Sequence, residues 1–113
     1  MIDLVKMFDA VEVAIVASDT DLNIVYANAR SKKMFKNQLN QGSLVGRSLT
    51  ECHKPETVEK IRKLFKEFRN KEKALGHYAM DTPGGKVTVV QVPFYDDGNL
   101  EGVMEFIFES ALA

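Results

Sequence analysis

The sequence contains one cysteine, two histidines and no long apolar stretch among its 113 residues. Because a lone cysteine cannot form an internal disulfide, the chain is expected in a reducing compartment, the cytoplasm. The longest apolar run, Val13–Ala17, is far shorter than the roughly 20 residues that a membrane-spanning helix needs. No signal-peptide pattern opens the chain, so neither a membrane span nor export is expected.

Net charge is also small, at −1, which argues against general affinity for nucleic acid. The basic run from Lys60 to Lys73 is a local exception, which we interpret as the solvated face of a helix. A chain this short supports one hydrophobic core, and 45% apolar with 27% charged residues is typical of a globular protein. We therefore expect one domain at residues 11–109, preceded by a helix at residues 1–10.

The first third predicts a helix and then a hairpin. Residues Ile2–Ala10 form an amphipathic pattern too short to be stable alone, so this helix must dock on its own domain or on a second copy. The hairpin strands are predicted at Val11–Ser18 and Leu22–Ala27, and Asn28 stands where the N-cap of a following short helix is needed. Polar, glycine-punctuated residues predict a loop over Lys36–Gly46.

The longest predicted helix is Glu56–Asn70, whose apolar residues recur at helical spacing and whose first turn follows Pro55. Three strands separated by turns complete the chain, at Gly76–Thr82, Lys86–Tyr95 and Leu100–Phe108. Strands at both ends with helices between them imply an α+β domain, in which helices pack on one face of an antiparallel sheet.

The last strand has two unlike sides. The side opposite its mainly apolar residues is mixed, and there Val103 and Ile107 need a cover, for which the Ile2–Ala10 helix is the candidate. The mainly apolar side is predicted to face the interior and comprises Leu100, Met104, Phe106 and Phe108.

Four segments, in order, resemble those of a PAS domain and together cover nearly all of the chain: AIVASDTDLNIVYAN, ARSKKMF, LVGRSLTE and GNLEGVMEFIF. The segment GRSLTECHKPETVEKIRKLF is also similar to a PAS subgroup with a Gly-Arg…Cys-His-x-Pro signature. The resemblance implies a five-stranded antiparallel sheet, with short helices and one longer helix enclosing a pocket for a small molecule against its concave face.

The resemblance further implies a sensory or interaction module and no enzyme, and nothing in the sequence indicates a held nucleophile with an oxyanion hole. PAS modules commonly dimerise through an N-terminal helix, which predicts a homodimer through Ile2–Ala10. Only ESALA follows Phe108, so we expect a free-standing sensor or a fragment of a larger one. The downstream signalling protein is not identified by the sequence.

Haem b is the leading ligand prediction, with His53 as axial ligand of the iron and a gas or redox state as the signal. Many haem-binding PAS domains carry this histidine on the long helix, which has none here, whereas a smaller group carries it just before, where His53 falls. His77 is a candidate second ligand. The alternative is structural, in which His53 pins the turn into the long helix and Cys52 is a small buried hydrophobic residue.

Other cofactors are less well supported. The cysteine motif of flavin-binding PAS light sensors does not match the residues that follow Cys52. Zinc needs about four ligands, and Cys52, His53 and His77 supply at most three.

The pocket is predicted to contain Cys52, His53 and eight further residues: Met34, Leu49, Ile61, Phe65, Val89, Gln91, Met104 and Phe106. Gln91 is a polar amide among valines, and if it is buried a bound ligand is a natural hydrogen-bond partner. The alternative function is a protein-interaction or dimerisation module without haem, whose pocket is empty or holds an apolar metabolite such as a fatty acid.

Overall fold

The computed structural model describes residues 1–36 and 43–110, so residues 37–42 of the predicted loop lie outside the described part. The predicted order of elements is confirmed, and α4 begins at Pro55 itself. The elements are α1 (Leu4–Ala10), β1 (Ala14–Asp19), β2 (Ile24–Ala27), α2 (Ala29–Met34), α3 (Leu49–Cys52), α4 (Pro55–Arg69), β3 (Gly76–Thr82), β4 (Gly85–Asp96) and β5 (Asn99–Phe108).

The five strands form one antiparallel sheet in the order β2-β1-β5-β4-β3. The last strand is therefore the central one, and it pairs with β1 from the first hairpin. Helices α2 and α4 pack on one face, where Phe65 and Phe68 of α4 are buried against the sheet. The α+β prediction is confirmed. No helix in the described residues is long and apolar enough to cross a membrane.

The predicted orientation of β5 was wrong. Val103 packs against Phe65 and Phe68 of α4, and Ile107 packs with residues at the end of α2, so α1 covers neither of them. Because successive strand residues alternate, Met104 and Phe106 lie on the opposite face of the sheet. The sequence analysis assigned α1 as the cover of this mixed face, but α2 and α4 cover it.

Helix α1 instead lies beside β2 and the start of α2. The ring of Phe8 meets that of Tyr26 edge-on, with centroids 6.4 Å apart, and Asp9 accepts a hydrogen bond from the backbone N–H of Ala29. Several apolar side chains of this segment remain exposed, among them Ile2, Leu4 and Val5.

Asn28 joins α1 to the sheet. The side chain is fully buried, and its Nδ2 donates to the carbonyl oxygens of Phe8 and Val13 at 2.9 and 2.8 Å. Its Oδ1 accepts from the backbone N–H groups of Ile15 and Ser31. The predicted N-cap role is confirmed, and the same side chain also ties the end of α1 and the start of β1 to α2.

Candidate functional site

A cavity of about 250 Å³ lies between the helix-covered face of the sheet and the segments that include α3 and the end of α2. Five apolar side chains form much of its wall: Val16, Ile24, Phe35, Leu44 and Leu49. The remaining lining residues carry the chemistry, and they are Arg47, Glu51, Cys52, His53 and Glu105. The site therefore combines an apolar wall with converging polar groups, as small-molecule pockets commonly do.

Glu105 reaches this cavity from the central strand. The sheet register places it between Val16 on β1 and Gln91 on β4, so these three side chains share the concave face. The side chain of Gln91 hydrogen-bonds to the Glu105 carboxylate. Gly76 stands opposite Gln91, and a Cβ there would lie 2.8 Å from Gln91 Oε1. Glycine at this position therefore leaves room for the amide beside the carboxylate.

The electrostatics at Glu105 are dominated by burial. Desolvation raises the pKa of the Glu105 carboxyl above its ordinary value, although the nearby charge of His53 and the hydrogen bond from Gln91 act in the opposite direction. On the same face, burial and the Glu105 charge raise the pKa of Tyr78 to about 12. The phenol of Tyr78 is therefore neutral at physiological pH and adds no charge beside the carboxylate.

His53 is oriented by the first residue of α3. Its Nδ1 lies 2.9 Å from the carbonyl oxygen of Leu49, and because a carbonyl can only accept, Nδ1 carries the proton in this bond. In the neutral imidazole, Nε2 is then left as an acceptor. The neighbouring thiol of Cys52 is free and exposed, so the predicted alternative of a buried Cys52 was wrong.

A family model for the PAS domain matches residues 4–109 of the sequence. The chain is a PAS domain. No curated protein matches its sequence significantly.

Solved structures share the fold of this PAS domain at low sequence identity. A C-terminal domain from Streptococcus mutans has a TM-score of 0.74 and 24% identity, covering 92% of this chain and 80% of that one. The PAS domain of BvgS from Bordetella pertussis has a TM-score of 0.71 and 16% identity, covering 96% and 84%. A sensory box sensor histidine kinase from Vibrio cholerae has a TM-score of 0.60 and 14% identity, covering 93% and 87%.

The cavity of the PAS domain contains three of the predicted pocket residues, namely Leu49, Cys52 and His53. Gln91 does not line the cavity, but it pairs with Glu105, which does. Four other predicted residues belong to the packed core beside α2 and α4 and do not line the cavity: Met34, Ile61, Phe65 and Val89.

Three predicted site residues lie on the other face of the sheet. Met104 and Phe106 lie there because the orientation of β5 is the reverse of the predicted one. His77 lies there because it pairs with Val90, and Val90 pairs with Phe106. His77 is also exposed. A second ligand role for His77 beside His53 is therefore contradicted, because the sheet separates the two imidazoles. Within residues 1–36 and 43–110, no group of three or more His, Cys, Asp or Glu side chains is placed to hold a metal ion.

Glu105 is the functional candidate that the sequence analysis missed. Its charge made it resemble the exposed Glu101 and Glu109 of the same strand. The available signal was its position two residues from both Val103 and Ile107, since residues at this spacing share a strand face. Once those two are placed in the core, Glu105 must lie on the same side of the sheet.

Proposed function

We propose that this PAS domain is a sensory module whose concave cavity binds a small polar molecule at Glu105. The observation that carries the proposal is a carboxylate that the central strand places in the wall of a cavity beside five apolar side chains. Burial penalises its charged form, and proteins commonly retain such a cost where a group serves binding. Sensing agrees with family membership and with the sensor histidine kinase among the similar structures.

The size of the cavity limits the ligand. The cavity volume is about 250 Å³. Drug-sized ligands typically occupy about 300–1,000 Å³. A compact metabolite therefore suits the site better than a long-chain fatty acid.

Haem b through His53 is the second candidate. The hydrogen bond from Nδ1 to Leu49 supports it, because iron-ligating histidines usually donate their other ring N–H to such a carbonyl. The volume opposes it, since haem is larger than the ligands for which 300–1,000 Å³ is typical. The described residues do not fit haem in this arrangement, so gas or redox sensing through it remains an untested prediction.

Adding haemin to the purified protein tests this choice. We expect no stoichiometric Soret band, because the cavity is too small for the macrocycle. His53→Ala and His77→Ala are matched variants, since both remove an imidazole and only the first lies at the cavity. A one-to-one Soret band that disappears in His53→Ala and persists in His77→Ala would show that the cavity binds haem and would overturn the small-ligand proposal.

We further propose that α1 passes the state of the cavity to a homodimer interface and so to a downstream signalling protein. Glu105 pairs with Val16 on β1, and Asn28 bonds both to Ile15 of β1 and to the carbonyl of Phe8 in α1. A continuous set of contacts thus joins the cavity to α1. The alternative function, an interaction module without a ligand, uses the same interface.

Sedimentation velocity tests the interface. The wild-type protein should sediment as a dimer, and the double variant Leu4→Glu/Val5→Glu should be a monomer because both exposed side chains would face the partner. Leu75→Glu is the matched control, since Leu75 is another exposed leucine outside α1 and its variant should remain dimeric. A monomeric wild type, or a double variant that stays dimeric, contradicts the assignment of α1.

A further inference from the structure

We infer that the cavity selects a small ammonium ligand, a primary amine with a compact apolar body, whose charged nitrogen pairs with Glu105. This inference rests on the proposed function, because it assigns a ligand class to the same cavity. It follows from the acceptor capacity of Glu105, the charges around it and the apolar wall.

The carboxylate of Glu105 has acceptor capacity to spare. An ionised carboxylate offers about four lone-pair sites on two oxygens, and a single amide donor such as Gln91 cannot occupy them all. An ammonium group has three donors and no acceptor, so it matches an acceptor-only group. Pairing of the two would also offset the desolvation that burial imposes on the carboxylate.

The groups on the neighbouring strands that face Glu105 carry no charge of their own. From β3, Tyr78 contributes a neutral phenol, and from β4, Gln91 contributes an uncharged amide. β1 contributes the apolar Val16 opposite Glu105. His53, between α3 and α4, is the neighbouring group whose positive charge would favour the carboxylate, and it is itself exposed.

Arg47 and Glu51 line the same cavity with opposite charges. The charges of Arg47 and Glu51 cancel. When His53 is neutral, the formal charges of the lining residues therefore sum to the charge of a single carboxylate. A partly buried site with this net charge favours a cation over a carboxylate ligand.

The rest of the wall defines the body of the ligand. The apolar lining residues come from both hairpin strands and include Phe35, Leu44 and Leu49. A short alkyl chain gains more from burial against them than a polar chain would. A ligand with one cationic end and a few carbon atoms therefore uses both features of the cavity. Short alkylamines are the simplest probes of this class.

Binding of n-butylamine, n-butanol and butyrate, followed by amide chemical shifts at pH 7.5, tests the inference. The three probes share an alkyl chain and differ in the charge of one end. We expect n-butylamine to bind at least roughly tenfold more tightly than either analogue, as for a charge-assisted pair. The perturbed amides should surround Val16, Leu49 and Glu105.

Glu105→Gln removes the charge and keeps the shape and an acceptor for the Gln91 amide. We expect it to weaken n-butylamine binding roughly tenfold or more while the amide spectrum stays well dispersed. Glu101→Gln is the matched control on the same strand, because Glu101 is exposed and lies outside the cavity, and its binding should equal that of the wild type.

The outcomes separate the two proposals. If n-butanol or butyrate binds in the cavity as tightly as n-butylamine, or if Glu105→Gln binds the amine normally, the ligand class is wrong and the cavity remains a binding site. If none of the three probes perturbs amides around the cavity at millimolar concentration, the ligand class is overturned and the proposed function loses its support as well.

Discussion

Replacing Asn28 with alanine should lower the free energy of unfolding by about 3 kcal/mol and the melting temperature by roughly 10 °C. The asparagine is fully buried and satisfies two backbone carbonyl oxygens and two backbone N–H groups. Alanine would leave these groups buried without partners, each at a cost of about 1–3 kcal/mol before relaxation. Detachment of α1 would expose part of them to water, so the costs would not add in full.

Thermal unfolding followed by circular dichroism measures this effect. Asn70→Ala is the matched control, because Asn70 is exposed at the end of α4 and its cap bonds come from the backbone. Asn28→Asp keeps an oxygen for Ile15 and Ser31 but turns a second oxygen toward the carbonyls of Phe8 and Val13. It should therefore be destabilised as well. An Asn28→Ala protein as stable as Asn70→Ala would refute the linking role of this residue.

Replacing Gly102 with alanine should destabilise the protein by about 3 kcal/mol or more, a large share of the roughly 5–15 kcal/mol by which native domains are stable. Gly102 is buried on the central strand. An added Cβ would overlap the carbonyl oxygen of Ser18 on β1 and lie 2.7 Å from Cζ of Phe94 on β4. The ring could rotate away, but the oxygen belongs to the backbone, so β1 and β5 would have to separate.

Gly84→Ala controls for the substitution itself. A Cβ at Gly84 would meet its nearest atom, Oγ1 of Thr82, at the ordinary contact distance of 3.9 Å. Urea unfolding of the two variants should give a large loss of stability for Gly102→Ala and little change for Gly84→Ala. Equal midpoints for both variants would show that the central strands tolerate a side chain at position 102.

Local features could be predicted from the sequence. The N-cap at Asn28 and the start of α4 at Pro55 depend on residues within one helical turn, so the pattern there was sufficient. The wider role of Asn28 could not be predicted in this way. Its partners Phe8 and Val13 lie 20 and 15 residues away along the chain, and only the packing of α1 brings them together.

The candidate site was predicted only in part, again because sequence patterns identify residues that are close along the chain and miss those that are distant. Cys52, His53 and Leu49 are close in sequence, and all three line the cavity. Glu105 comes from a strand more than fifty residues away, and its face was misassigned because the opposite, mainly apolar side of β5 was predicted to face the interior. A partly buried carboxylate on the helix-covered face opposes the hydrophobic pattern, and such conflicts often mark functional positions.

The pH dependence of stability follows from the same carboxylate. Because the folded-state pKa of Glu105 is raised above its ordinary value of 4.5, the folded protein holds this proton more tightly than the unfolded chain does. The contribution of Glu105 to stability is therefore fully present below pH 4.5 and is lost as the pH rises through the folded-state pKa. A cationic ligand would favour the ionised form and shift that loss to lower pH.

Titration of the Glu105 side-chain carboxyl by carbon NMR, assigned by comparison with Glu105→Gln, is the most direct test that this group forms an acidic ligand site. We predict a pKa above 4.5 in the free protein and a lower pKa in the presence of saturating n-butylamine. A carboxyl that titrates at its ordinary value and does not respond to the amine would contradict the account.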